Sequence, residues 1–327
     1  MKLLLLNTTD PYLNLAIEEY LFDTADEDVF ILWQNAPTVV IGKNQNAYAE
    51  IDLDLAKERG IHIARRITGG GAVYHDLGNL NYSFISPSHN GEGLDFAHFT
   101  APIIETLALM GLSASLSGRN DLLVGDKKFS GNAEYSKNGR VLHHGTLLFD
   151  SDLSVLSDVL RVDEEKLASK AIRSTRSRVT NLLPLLNPSI GIRTADDLKV
   201  KIAEYIIEKY SAQPIDAPSN DRVTELSLRN SGNDWIYPSR DLLSLYTLKK
   251  KKRFPFGSVE IRLDMRNDTV NDLKISGDFF SLLPILELED AIRGADISSL
   301  PSVIEKKDIG SYIVGMTREM LYDLIVK

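Results

Sequence analysis

The chain reads as an α+β protein built from a large N-terminal domain and a small C-terminal one. Three observations predict this. Through the first 150 residues, short apolar or alternating runs recur between segments whose apolar side chains follow a helical period. The 327 residues exceed the roughly 250–300 at which single cores stop growing, so two domains are expected. Beyond residue 248 the hydrophobic pattern starts afresh.

The elements follow in order. Asp10 can cap a first helix, with Pro11 at its first position and Leu13, Ala16, Ile17 and Tyr20 on one stripe. Strands are expected at 29–33, 38–41, 61–67 and 81–85. A helix should run over 100–110, with Thr100 as cap and Gly111 as stop. Gly125-Asp126 marks a turn, and Asn138-Gly139 between two extended runs marks a hairpin. Thr194, Asp196 and Asp197 open a helix carrying Leu198, Ile202, Tyr205, Ile206 and Tyr210. The stretch 211–233, rich in Ser, Asn, Asp and Pro, reads as loop, and the basic run 249–253 as a solvated connection or edge. Val259, Ile261, Leu263 and Met265 then alternate with polar residues, which predicts a strand with one buried face. A turn at Arg266-Asn267-Asp268, a strand around Leu273 and Ile275, and helical segments near 283–292 and 312–325 complete the small domain. The expected domains are 1–242 and 248–327.

Composition excludes several classes. With 37 basic against 46 acidic side chains, net −9, the chain lacks the basic balance of a non-specific nucleic-acid binder. Cysteine is absent, which removes disulfides, thiolate zinc, iron–sulfur clusters and a cysteine nucleophile. The apolar start at residues 1–6 breaks at Asn7, short of the roughly 7–15 residues of a signal h-region. No window approaches the roughly 20 apolar residues of a membrane span. A cytoplasmic protein without membrane or nucleic-acid partners is expected.

All six histidines, His62, His75, His89, His98, His143 and His144, precede residue 145, so the chemistry is expected in the first domain. In the run from Arg65 to Asp76, Gly69-Gly70-Gly71 follows a strand and can turn backbone N–H groups toward an anion, with two arginines able to fork onto a carboxylate or phosphate. A flexible turn is the plain alternative. In the second stretch, Asp121 to Ala133, Lys128 can act as a point charge on a phosphate or acyl oxygen, or simply lie in solvent. Asp121 can hold Mg²⁺ or cap a turn. In the third, the adjacent His143 and His144 point to opposite faces of a strand, so one faces a site while the other packs. No Gly-x-Ser-x-Gly elbow and no His-x-x-x-His pair is present. The residues support nucleotide or acyl-phosphate chemistry without naming a substrate.

At these motifs the chain resembles the lipoate–protein ligase A family, of the full-length bacterial type with a C-terminal accessory domain. The family pattern Arg-Arg-x-x-Gly-Gly-Gly-Ala-Val-x-His-Asp-x-Gly-Asn stands here at 65–79, and Asp-x-Lys-x-x-Gly-x-Ala at Asp126, Lys128, Gly131 and Ala133. His143-His144-Gly145-Thr146 and the run 176–181 match further blocks. The resemblance implies a biotin/lipoate-ligase-like fold, with mixed sheets flanked by helices and a small α+β C-terminal domain. It implies that lipoate and ATP form lipoyl-AMP and pyrophosphate, with Mg²⁺, and that a lysine of a lipoyl domain then takes the lipoyl group. The acceptors implied are E2 subunits of 2-oxoacid dehydrogenases and the glycine-cleavage H protein.

By motif position, Arg66, Gly71, Ala72, Val73, Tyr74 and Lys128 would hold ATP, and Lys128, Gly70 and His75 lipoate, with Lys128 catalytic. Asp121 and His144 would hold magnesium or stand just behind it, and no metal site made by the protein alone is expected. Arg173, Arg176 and Arg178 would aid the acceptor or form ordinary surface pairs. A monomer is expected. A lipoyl transferase using preformed lipoyl-AMP, or a non-catalytic lipoate- or adenylate-binding protein, is the alternative; without cysteine the chain cannot use the thioester route of the cysteine-dependent transferases.

Overall fold

A computed structural model of the chain describes residues 1–88, 94–161 and 179–326. His89, Arg173, Arg176 and Arg178 lie outside the described residues. Contacts divide the chain into two units. One comprises Met1–Val40, Asp52–Ala64 and Val73–Gly232, the other Ile41–Ile51, Arg65–Ala72 and Asn233–Lys327. A single cut at 242–248 differs from this division, which counts two early segments with the C-terminal part.

In the first unit the strands are β1 (Lys2–Leu5), β2 (Val29–Trp33), β3 (Thr38–Ile41), β4 (His62–Arg65), β5 (Val73–His75), β6 (Asn79–Ser86), β7 (Ala114–Ser117), β8 (Asp121–Val124), β9 (Lys127–Lys137), β10 (Arg140–Leu148) and β11 (Gln213–Ile215). The last residues of β3 and β4 are counted with the second unit. Among the described residues, eight strands form one sheet in the order β11-β1-β2-β6-β10-β9-β8-β7, and β4-β3-β5 form a second. β1 pairs parallel with β2 and β11, whereas β2, β6, β10 and β9 pair antiparallel in turn. The Asn138-Gly139 turn joins β9 to β10, with both residues at positive φ (55° and 78°) as a tight hairpin requires.

Strand alternation decides what each face of the large sheet meets. Phe30, Tyr82, Phe84 and His143 point to one side and pack with Phe99 or with one another, beside the helix Phe96–Leu109. Ile103, Leu198 and Ile202 join that core from this helix and the helix Ala195–Tyr210. Ser83 and His144 point the other way and meet Glu18 of the helix Pro11–Thr24. The first helix begins as its sequence predicts, Asp10 accepting from the N–H groups of Tyr12 and Leu13.

Several expectations are corrected. The helix expected at 100–110 starts at Phe96 with Asp95 as cap, because Phe96 and Phe99 extend its apolar face; Thr100 lies inside and donates to the Phe96 carbonyl. The stretch 211–233 holds β11 and the helix Asp221–Ser231. Asn220 caps that helix, and Val223 and Leu226 supply an apolar stripe too thin to stand out among its charges.

In the second unit β12 (Leu248–Phe254), β13 (Gly257–Arg266) and β14 (Thr269–Gly277) form an antiparallel meander, so the basic run is an edge strand. Val259, Ile261, Leu263, Leu273 and Ile275 face a core completed by Leu288, Ile292 and Leu321. The other face of β13 is also covered, contrary to the one-sided expectation: Glu260 and Arg262 are buried and paired with each other at 2.6 Å. The expected helix at 312–325 is broken, with Ile309–Tyr312 and Arg318–Val326 separated at Gly315, whose φ is 91°.

Candidate active site

The triple glycine belongs to the second unit, and its two arginines have different surroundings there. Arg65 is buried at the end of β4, and its guanidinium donates to five main-chain carbonyls. Nη1 reaches Gly42, Lys43 and Gln45 (3.3, 3.0 and 2.6 Å), Nε reaches Trp235 (2.9 Å), and Nη2 reaches Ile236 (2.6 Å). Asp241 lies 3.5 Å from Nη2. The fork of this arginine is thus engaged by the chain itself, which corrects the expectation that it reaches a ligand.

Arg66 folds back over its own loop. Nε donates to Thr68 Oγ1 at 2.9 Å, and Nη2 to the carbonyls of Gly69 and Gly71, both at 2.8 Å. Gly70, at φ 90°, donates its N–H to the Phe279 carbonyl at 3.2 Å. A Cβ on Gly42 would collide with the Gly70 carbonyl, and one on Gly69 would crowd Phe279 and Phe280. Close packing therefore explains two glycines that anion binding alone would not require.

Asp241 leads on to a series of ion pairs, around two buried carboxylates, that gave no signal in the sequence. Lys274 lies 3.3 Å from Asp241 and 3.9 Å from Glu289, and Arg240 lies 3.1 Å from Glu289. Burial pushes the Glu289 carboxyl up, against the pull of Lys274 and an N–H bond from Ile275.

The first unit holds the other candidates. Lys128, near the start of β9, pairs with Asp121 at 2.7 Å, both about one-third exposed. The bare Cα of Gly131 leaves space beside the ammonium, where a Cβ would come within 3.1 Å of Nζ. Lys128 is held by its backbone, its carbonyl accepting from Thr180 N at 2.8 Å. Asn181, from the same block, clasps Ser151 N and O at 3.1 and 3.0 Å.

Val73 and Tyr74 lie half-buried on β5, opposite Val40 and Val39. Burial raises the Tyr74 hydroxyl above its ordinary value. His75 is buried, with the side-chain nitrogens of Asn35 and Asn81 at 3.0 and 3.5 Å from its Nδ1.

The two adjacent histidines go to opposite faces, each to a carboxylate that sequence reasoning missed. His144 Nδ1 meets Glu18 at 2.9 Å, and Glu18 also accepts from Ser83, which in turn accepts from the Trp33 indole. His143 Nδ1 meets Glu134 at 2.8 Å. Full burial holds His143 below its ordinary pKa, against the upward pull of Glu134. Beside it, burial pushes the Tyr82 hydroxyl well up, so it stays protonated and donates to Asn132 Oδ1 at 2.5 Å. The available signal for Glu18 was its i,i+4 spacing from Asn14 on a helix face otherwise lined by Leu15, Ile17, Leu21 and Phe22.

Asp121 and His144 have separate partners, Lys128 and Glu18. Among the described residues no three His, Asp or Glu side chains gather into a metal set.

Comparison with known proteins bears on this chemistry. The family model for the lipoyl protein ligase A/B catalytic domain matches residues 10–206, and that for the bacterial lipoate protein ligase C-terminus matches residues 245–325. The chain is 36% identical to lipoate-protein ligase LplJ of Bacillus subtilis, over 98% of each chain. A solved bipartite lipoate protein ligase from Thermoplasma acidophilum, described with its E2 lipoyl domain, matches with TM-score 0.62 and 30% identity over 72% of this chain and 96% of its own. A lipoate-protein ligase A bound with ATP matches with TM-score 0.60 and 28% identity, over 72% and 98%.

Proposed function

The chain belongs to the lipoyl protein ligase A/B family, and from that membership we propose that it joins lipoate to lipoyl domains in two steps with ATP. In the first, a lipoate carboxylate oxygen attacks the α-phosphorus of ATP; the bond to the bridging oxygen breaks, leaving lipoyl-AMP and pyrophosphate. In the second, the ε-amine of an acceptor lysine attacks the acyl carbon and AMP departs with the bonding pair. The acceptors are lipoyl domains, including those of 2-oxoacid dehydrogenase E2 subunits and the glycine-cleavage H protein. Residues 1–242 carry both steps and 248–327 are accessory, a division supported by the two family models and their matched ranges.

What carries the reading is the Lys128 ammonium: partly exposed, lying against the bare Cα of Gly131, with a carboxylate partner that an anionic ligand can replace. There it stabilises the charge that develops on the α-phosphate and the acyl oxygen in both steps. Arg66 acts on the nucleotide by shaping the loop from Gly69 to Gly71, followed by Ala72, Val73 and Tyr74. Gly70 and His75 complete the acyl side. The nucleophile of each step comes from a substrate, so a site of positioning and charge is sufficient equipment. Mg²⁺ would serve the ATP step by offsetting the negative charge of the nucleotide phosphates. The enzyme works in the cytoplasm as a monomer. No helix among the described residues is long and apolar enough to cross a membrane.

Lipoate-dependent ATP–pyrophosphate exchange, without acceptor, tests this. Exchange with lipoate and not with biotin is expected. Folded protein that binds lipoyl-AMP but exchanges nothing would replace the ligase with a transferase or a binding protein.

A further inference from the structure

Lys128 stands on the outer part of a strand that changes neighbours. From Lys137 back to Asn132, β9 pairs with β10, ending at the pair of Asn132 and Gly145. From Gly131 back to Lys127 it pairs on its other side with β8, beginning at the pair of Gly131 and Asp121. Val179 bridges Lys128, whose carbonyl accepts from Thr180 N, so here the edge away from β8 belongs to 179–180 and not to β10. The changeover falls between Gly131 and Asn132, and side chains close it on both edges. Toward β10 the next pair in register is Gly131 and the buried Thr146. Gly131 N donates to Thr146 Oγ1 at 3.2 Å, and that hydroxyl lies 3.5 Å from the Gly131 carbonyl. Toward β8 the next pair is Asn132 and Asn120. The Asn120 carbonyl accepts from Asn132 N and Nδ2 at 2.9 and 3.0 Å, and Asn120 Nδ2 donates back to the Asn132 carbonyl at 2.6 Å. A main-chain carbonyl only accepts, so the Asn132 amide nitrogen faces Asn120 and its oxygen takes the Tyr82 hydroxyl at 2.5 Å. A Cβ on Gly145, opposite Asn132, would come within 2.1 Å of that oxygen and 2.6 Å of the Tyr82 ring. The glycine between His144 and Thr146 is thus the room in which this amide fits.

We propose that Thr146, Asn120 and Asn132 are positioning residues for Lys128. They fix the direction in which the outer part of β9, together with β8, leaves the sheet, and so the place of the ammonium against the reacting phosphate and acyl oxygens. Asp121 follows Asn120 directly and Lys128 lies three residues before Gly131, so both members of the ion pair hang from this one joint. The inference rests on the role given to Lys128 above and deepens it, since a charge misplaced by about 1 Å loses about 10²-fold in rate.

The test is a double-mutant cycle on lipoate-dependent ATP–pyrophosphate exchange by the full chain, assayed well below the melting temperature of each variant. Thr146→Val keeps the shape and removes the hydroxyl, so kcat should fall by roughly 10–10²-fold, while the KM values for ATP and lipoate stay within about twofold. Thr146→Ser, which restores the hydroxyl, should return kcat to near wild type. In Lys128→Ala the same Thr146→Val change should have no further effect, because its action passes through the ammonium. General loosening of the fold would instead lower the rate by one factor in both backgrounds. Wild-type kcat in Thr146→Val, or an equal fall with and without Lys128, overturns the proposal and leaves Lys128 in its role. Wild-type turnover in Lys128→Ala alone removes that role, and the proposal with it. If Thr146→Val does not fold, Asn120→Ala, on the other edge of the joint, enters the same cycle and is judged by the same outcomes.

Discussion

Lys128 is the residue whose loss should be most selective. Lys128→Ala removes the cation from a partly exposed site, so lipoyl-AMP formation should fall by roughly 10²–10³ while the thermal melt stays near wild type. Exchange rates and a circular-dichroism melt check this together. Asp121→Asn, which breaks the same pair, should change stability by no more than about 1 kcal/mol, since both partners are about one-third exposed. Lys128 could be singled out in the sequence because its pattern is local, spanning Asp126 to Ala133. The role of Arg65 was not: its partners lie at 42–45 and 235–241, and no spacing rule links an arginine to carbonyls 170 or more residues away.

At the scale of elements, the glycine loop is held by a base that includes Asp241. Asp241→Asn leaves Arg65 and Lys274 facing each other's charge in a buried setting, and should cost about 3–5 kcal/mol, read as a lower midpoint in urea. Thr194→Ala removes one half of a capping box whose Thr194 and Asp197 exchange bonds, at a cost of about 1 kcal/mol. Elements with dense periodic signals were read correctly, among them β2, β3 and the helix Ala195–Tyr210. The helix Asp221–Ser231 escaped because burial there rests on Val223, Leu226 and Asn230, a face with only two apolar members. Tertiary packing against the first helix, including Asn230 to the Tyr12 carbonyl, supplies what its own sequence does not declare.

For the molecule as a whole, the buried neutral His143 links stability to pH. Its folded pKa lies below the ordinary 6.5, so the unfolded chain binds the proton first as pH falls. The contribution of His143 is complete above about pH 6.5 and declines as pH drops from there toward the folded value. The unfolding free energy of wild type should therefore fall more steeply below about pH 6.5 than that of His143→Gln; identical slopes would deny the link. The α+β class was legible from patterning, but the grouping of 41–51 and 65–72 with the C-terminal part arises from contacts that no linear cut can express. Those contacts have a consequence for how the gene can be edited. Arg65 grips the backbone at Gly42, Lys43, Gln45, Trp235 and Ile236, atoms that every amino acid carries. Codons at Lys43 or Ile236 can therefore be rewritten with little effect on that grip, whereas a single-codon deletion within 42–45 or 235–241 displaces the carbonyls and unseats the loop. At this site the genome stores a count of residues more strictly than their identities.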